Sequence, residues 1–236
     1  MKRKTFHSVF FHLEVEDIAK EVDFFNDFGF EPIESMFSET QCLTDGLLRL
    51  SIGPKGFIHT GIIFAGNDLD KMKESITSLG ISFIENSGYR FPMLTGPSGT
   101  TITLLEIPSI AIPNLEGQPI SLGGTFFEIS VQTIDHEATI DYWEKLGFEA
   151  IYGEKDGNWV TMADDFFKIG FYRKNTVPHP FRSPAITYFE DDMKDRIKIV
   201  KSLEIPIAHE LGTCKTGAED AILETPAGFH IFMFRS

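Results

Sequence analysis

The sequence predicts an α+β protein built from four β-α-β-β-β modules paired into two tandem domains. Three observations carry that prediction. The chain repeats itself: "FFHLEVEDIAKEVDFFNDFGFEP" at 10–32 has a counterpart in "FFEISVQTIDHEATIDYWEKLGFEA" at 126–150. Asp17 corresponds to Asp135 and Gly29-Phe30 to Gly147-Phe148 at one constant offset of 118 (135 − 17 and 147 − 29), the mark of a duplicated structural unit. A weaker copy of the unit lies inside each half, at 58–84 and 185–207. Between the halves, "IPSIAIPNLEGQPISLGG" at 107–124 is rich in Pro, Gly and Ser without a sustained period, which reads as a linker over the surface. The expected division is a first domain over 1–108, a linker over 109–121 and a second domain over 122–236.

Each module opens on a strand. In the first, Phe10, His12 and Glu14 share one face, while Phe11, Leu13 and Val15 share the other and read as core. A helix follows, with Val22, Phe25 and Phe28 at helical spacing; Ile140, Trp143 and Leu146 repeat the pattern in the second half. The inner modules have helices burying Leu69, Met72, Ile76 and Leu79, and Met193, Ile197, Val200 and Leu203. Aspartates in "GNDLD" and "EDDMKD" are their N-cap candidates. "ISFI" at 81–84 reads as a strand after the second helix, and "GLLRLSIGP", "GTTITLLEIP", "FFKIGFYRK" and "GFHIFMF" supply later strands.

Composition narrows the function classes. The chain has 236 residues, 42% of them hydrophobic, and no apolar run reaches the roughly 18 residues that cross a bilayer. The start, "MKRKTFHSVF", lacks the long apolar segment of a secretory signal. Cys42 and Cys214 stand far apart, which argues against a disulfide framework or structural zinc, and a cytoplasmic location is expected. A net charge of −14 repels phosphate backbones, so neither nucleic acid nor a membrane is an expected partner. The 23 phenylalanines exceed ordinary core needs and suit a ring-rich pocket.

The helix ends "YWEKLGFE" at 142–149 and "FFNDFGFE" at 24–31, with the closing turns and strands "GPSGTTITLLE" and "TPAGFHIFMF", resemble the vicinal oxygen chelate superfamily. That group contains glyoxalase I, bleomycin-resistance proteins and extradiol dioxygenases. The resemblance implies tandem glyoxalase-like domains. In each, two modules fold a mixed sheet into a cup with helices outside, and catalytic members hold a divalent metal there. It also implies where metal ligands would stand. In the first domain those positions carry Phe10, Thr103, and Gly61 or His59; in the second they carry Glu128, Ala185 and Phe232, with His230 displaced by two residues. Neither half has an intact ligand set.

Two functions compete on this reading. The first is a small-molecule binder of the bleomycin-resistance type, sequestering an aromatic or cationic compound in a Phe-rich cup with no cofactor. Its ligand-binding residues are Glu128, Ser130, Gln132, Thr187, His230 and Phe232. Glu128, beside Phe126, Phe127 and Phe232, is also the candidate acid–base group, since desolvation raises a carboxylate's pKa. The second is a lyase or dioxygenase dependent on Mn, Fe, Ni or Zn through displaced ligands, with His12, Glu14 and His59 as metal candidates. The missing ligands and the acidic charge favour the first. "NSGYRFPMLTGPSG" at 86–99 and "RKNTVPHPFRSP" at 173–184 are expected at the cup mouths. The partner is a small organic molecule, and a monomer or homodimer is expected.

Overall fold

The computed structural model describes residues 6–85, 88–107, 120–212 and 217–236. The first module comprises β1 (Ser8–Val15), α1 (Ile18–Asp27), β2 (Glu31–Ile33), β3 (Gln41–Thr44) and β4 (Arg49–Pro54). The second is β5 (Gly61–Gly66), α2 (Leu69–Ser78), β6 (Met93–Thr95) and β7 (Thr101–Glu106). The third is β8 (Thr125–Thr133), α3 (His136–Lys145), β9 (Glu149–Gly153), β10 (Trp159–Ala163) and β11 (Lys168–Arg173). The fourth is β12 (Ala185–Glu190), α4 (Met193–Ser202), β13 (Ile207–Leu211), β14 (Asp220–Glu224) and β15 (His230–Arg235). Three modules follow the expected order. The second lacks the strand read at 81–84, although Ile84 N–H bonds to the Met93 carbonyl at 2.8 Å.

Module pairs make the two mixed sheets, ordered β2-β3-β4-β1-β5-β7-β6 and β13-β14-β15-β12-β8-β11-β10-β9. In each, the two opening strands pair antiparallel at the centre, β1 with β5 and β8 with β12. The last strand of each module runs parallel to its first, for example β4 with β1 and β11 with β8. Period-2 alternation then decides what faces the helices. Phe11, Leu13, Ile129 and Val131 do so, and such residues from both sheets form one continuous core.

The Gly-Phe signature is a helix stop. Gly29, at φ +99°, donates to the Asn26 carbonyl, and Phe30 N–H reaches back to Phe25. Gly147, at φ +84°, donates to Glu144, and Phe148 reaches back to Trp143. These are Schellman motifs, completed by contacts between the first and last apolar residues: Phe25–Phe30 centroids lie 5.0 Å apart and Trp143–Phe148 4.7 Å. α4 ends the same way, with Ile205 N–H on Val200 O, but places Glu204 at φ +57° where the others have glycine. At the helix starts, Asp68 of "GNDLD" caps α2 as expected, and Asp17 and Asp135 cap α1 and α3 in the same way. Asp192 makes no cap bond; its carboxylate pairs with Arg196 instead.

A buried junction joins the halves. Tyr188 packs edge-on against Phe28, and its hydroxyl donates to Asp45 Oδ2 at 2.6 Å. Asp45 Oδ1 accepts the Leu47 and Leu48 amides. Burial raises the pKa values of both Asp45 and Tyr188. The linker read over 109–121 lies mostly outside the described residues. Its end is pinned, with Ile120 N–H on Asp45 O and Leu122 N–H on Phe28 O. Among the described residues no helix is long and apolar enough to cross a membrane.

Two outcomes follow for stability. Tyr188→Phe strands a buried carboxylate and lowers unfolding stability by about 2 kcal/mol in urea denaturation; an unchanged midpoint would refute this role for the junction. Glu204→Gly relieves a left-handed backbone and raises stability by about 0.5–1 kcal/mol in the same assay.

Candidate functional site

The inner face of the second sheet carries a fully buried carboxylate, that of Glu128. Register places Thr161, Gly170, Ser130, Ala185 and His230 in one row across β10, β11, β8, β12 and β15. Small residues in that row leave a hollow, and the side chain of Glu128 lies down in it. A Cβ on Gly170 would sit 1.9 Å from Glu128 Oε1, so only glycine at 170 admits this pose. Oε1 accepts from Ser130 Oγ at 2.8 Å and Tyr172 Oη at 2.7 Å, and Oε2 accepts from Thr161 Oγ1 at 2.7 Å. Ser130 also bonds Thr187 Oγ1 at 2.7 Å. Glu128, Ser130, Thr161 and Thr187 are all buried, while Tyr172 is half-buried.

Desolvation pushes the Glu128 pKa up, against the opposing pull of the Thr161, Tyr172 and Ser130 hydroxyls and, last, the Lys168 charge. The same burial and the adjacent carboxylate push the Tyr172 pKa up.

Two aromatic arms flank this polar floor. On one side Trp159 stacks on Tyr172 at 6.3 Å, Tyr172 meets Phe181 at 5.8 Å, and Phe181 meets Phe232 at 5.0 Å. On the other, Phe234 reaches Phe189 at 5.9 Å, Phe189 reaches Phe127 at 5.0 Å, and Phe127 reaches Tyr152 at 5.7 Å. Phe232 and Phe234, stacked at 5.2 Å, join the arms, and His179 packs on both. The segment 173–184 thus brings His179 and Phe181 to the mouth, as expected. A cleft of about 480 Å³ opens there, walled by His179, Phe189, Phe234, Leu211 and Asp220.

The structure unites Glu128, Ser130 and Thr187 in one network and puts Phe232 in the aromatic wall. His230 stands apart from Glu128: Nδ1 accepts Arg182 N–H at 3.2 Å, and Nε2 lies 3.9 Å from Glu224. Burial lowers its pKa. Gln132 donates its backbone N–H to Ser183 Oγ, and its residue pairs with Tyr172. Phe126 is not beside Glu128. The register shift between Thr187 and Tyr188 sets Phe126 opposite Tyr188, and both turn into the helix-side core. Thr161, Gly170 and Tyr172 were missed. Their strand "FFKIGFYRK" shows the right alternation, but its place beside β8 comes from a crossover that no local pattern reveals.

The first cup is filled. Phe10, Ile58, Ile63 and Leu105 form a buried cluster, roofed by Phe37, Phe57 and Phe91 at mutual distances of 5.2–5.6 Å. Phe91 comes from the segment 86–99, part of which is described. His12 is wholly buried; Nδ1 meets Ser51 Oγ at 3.0 Å, Nε2 has no hydrogen-bond partner, and burial lowers its pKa to about 3. Glu14 accepts Gly56 N–H and the Tyr89 hydroxyl. His59 precedes β5 rather than lying on it, with Nδ1 on Thr60 O and its ring against Tyr89. So His12, Glu14 and His59 do not converge, and no three His, Cys, Asp or Glu side chains among the described residues could hold a metal ion.

The residues at the second cup's ligand positions do not fit a divalent metal either. Three hydroxyl donors occupy the oxygens of Glu128, His230 is engaged by Arg182 and Glu224, and Ala185 and Phe232 bring no donor atom.

Solved structures share this architecture. A catechol 2,3-dioxygenase is 16% identical with a TM-score of 0.61, over 99% of this chain and 88% of that one. The homoprotocatechuate 2,3-dioxygenase of Arthrobacter globiformis is 14% identical with a TM-score of 0.61, over 98% and 80%. An Mn(II)-bound glyoxalase from Novosphingobium aromaticivorans is 16% identical with a TM-score of 0.58, over 97% and 81%. The chain therefore shares the fold of these dioxygenases and this glyoxalase over nearly its whole length. No protein-family model matches the sequence, and no curated protein matches it.

Glu128 sets a pH dependence. Its folded pKa lies above the ordinary 4.5, so the fold favours its neutral form. The stability this contributes is complete below about 4.5 and is lost as pH rises through the raised value. Glu128→Gln removes that titration. Thermal unfolding should therefore show wild type losing ground to the variant from about pH 4.5 towards neutrality, and a pH-independent difference would count against the assignment.

Proposed function

We propose that the chain binds a small organic molecule with an aromatic body in its second cup, in the manner of bleomycin-resistance proteins and with no metal ion at that position. The observation that supports this is the pair of aromatic arms around the Glu128 floor, beside an open cleft of about 480 Å³. Sites for small molecules combine apolar, ring-rich walls with a few convergent polar groups, and the two arms meet that description. The first cup, roofed by its own phenylalanines, buttresses the second. The acidic charge and the lone described cysteine, Cys42, which is free and buried, suit a cytoplasmic protein that avoids nucleic acid.

Trp159 reports on this site, being 41% exposed and stacked on Tyr172, whereas Trp143 is buried. Titration of tag-free, chelator-treated protein with a panel of single-ring compounds should quench Trp159 fluorescence saturably. Phe232→Ala should weaken that binding about tenfold. Near-stoichiometric divalent metal by mass spectrometry, with ligand binding lost on chelation, would overturn the reading.

A further inference from the structure

The open cleft of the second cup has walls of His179, Phe189, Leu211 and Phe234, and two charged residues, Asp220 and Arg235, line it with them. Asp220 spends Oδ1 on the main-chain N–H of Arg235, at 2.7 Å. Its Oδ2 has no hydrogen bond or ion pair to any described residue. That oxygen lies 3.9 Å from the point a Cβ on Gly212 would occupy, and Gly212 belongs to the same lining. The uncommitted oxygen therefore stands beside the open space. Arg235 is differently engaged: its Nη1 lies 3.7 Å from Glu219 Oε1, which offsets the guanidinium charge. Asp220 is half-buried and within reach of solvent, whereas Glu128 is enclosed.

We propose that Asp220 reads the charge of the ligand in this cleft, and that the ligand is a ring compound carrying an organic cation such as an ammonium group. This rests on the ligand-binding reading above and narrows it to a ligand class. Ring faces attract cations, and one ring further along the same wall the protein makes such a contact itself. There the Lys168 ammonium lies 5.3 Å over Phe127, the ring that meets Phe189 at 5.0 Å. Phe189 and Phe234 take the body of the ligand, and Asp220 Oδ2 serves as counter-ion to its charge. A ring compound with a carboxylate meets that oxygen as a like charge, and the one cation lining the cleft is already shared with Glu219.

The test uses three probes of similar shape on the full chain near neutral pH: 2-phenylethylammonium, 2-phenylethanol and 3-phenylpropanoate, with affinities from isothermal titration calorimetry. The ammonium should bind about tenfold more tightly than the alcohol, the worth of one charge-assisted contact, and the carboxylate most weakly. Asp220→Asn keeps an oxygen for the Arg235 N–H and removes only the charge. In that variant the ammonium should fall to the affinity of the alcohol, while the alcohol binds as before. Phe234→Ala should weaken all three probes and keep the ratio of ammonium to alcohol; circular dichroism of both variants checks that the fold is kept. Equal binding of ammonium and alcohol by wild type, or a ratio that survives Asp220→Asn, would overturn the inference while leaving the ligand site standing. Preference for the carboxylate would also overturn it and transfer recognition to Arg235. Unchanged binding in Phe234→Ala would place the probes outside this cleft and overturn it too. Binding of none of the three would remove this inference, and failure across the wider ring panel the ligand reading itself.

Discussion

A carboxylate fully enclosed by protein has to be satisfied by the donors that the protein itself supplies. That constraint organises the second half of this molecule. Ser130, Thr161 and Tyr172 supply the donors, and each comes from a different strand, so β8, β10 and β11 must hold their register for Glu128 to be tolerated at all. Gly170 is the other half of the arrangement. With any side chain there, the carboxylate would be lifted off the sheet into the cup. An unpaired buried charge costs several kcal/mol, which is why the cradle has to be complete.

The two cups show how one duplicated unit is put to different uses. At the place where the second cup has Glu128, the first has Phe10, the residue 118 positions earlier, and the consequences spread outward. Phe10 seeds an apolar cluster that Phe37, Phe57 and Phe91 close. Beside it, His12 is held neutral, its pKa at about 3. Glu128 instead draws hydroxyls around itself, and its aromatic neighbours stand as walls. The Tyr188–Asp45 junction and the shared helix-side core bind the two halves together.

Much of the fold was legible because its signals are local. The Gly-Phe pair marked a Schellman stop, the alternation in "FFHLEV" separated core from cup, and of the two Asp-rich turns expected to cap the inner helices, "GNDLD" does so through Asp68 while "EDDMKD" does not. The strand read at 81–84 failed for a tertiary reason: β-like residues form a strand only where a partner edge accepts them. Parity placed Glu128, Ser130 and Thr187 on the cup face correctly. It misplaced Phe126, because the register shift beside Tyr188 reverses the alternation within β8.

By itself the sequence determined the four modules and their pairing into tandem units, since repeats and periodicities are written along the chain. Tertiary structure alone decided what Glu128 is. Its partners Thr161, Gly170 and Tyr172 lie 33, 42 and 44 residues away, and they reach it only because the last strand of the third module crosses back to run parallel beside the first. The same folding turned His12 from a metal candidate into a buried neutral ring. A carboxylate or imidazole takes its chemistry from desolvation and from the donors around it, and both are set by which strands become neighbours.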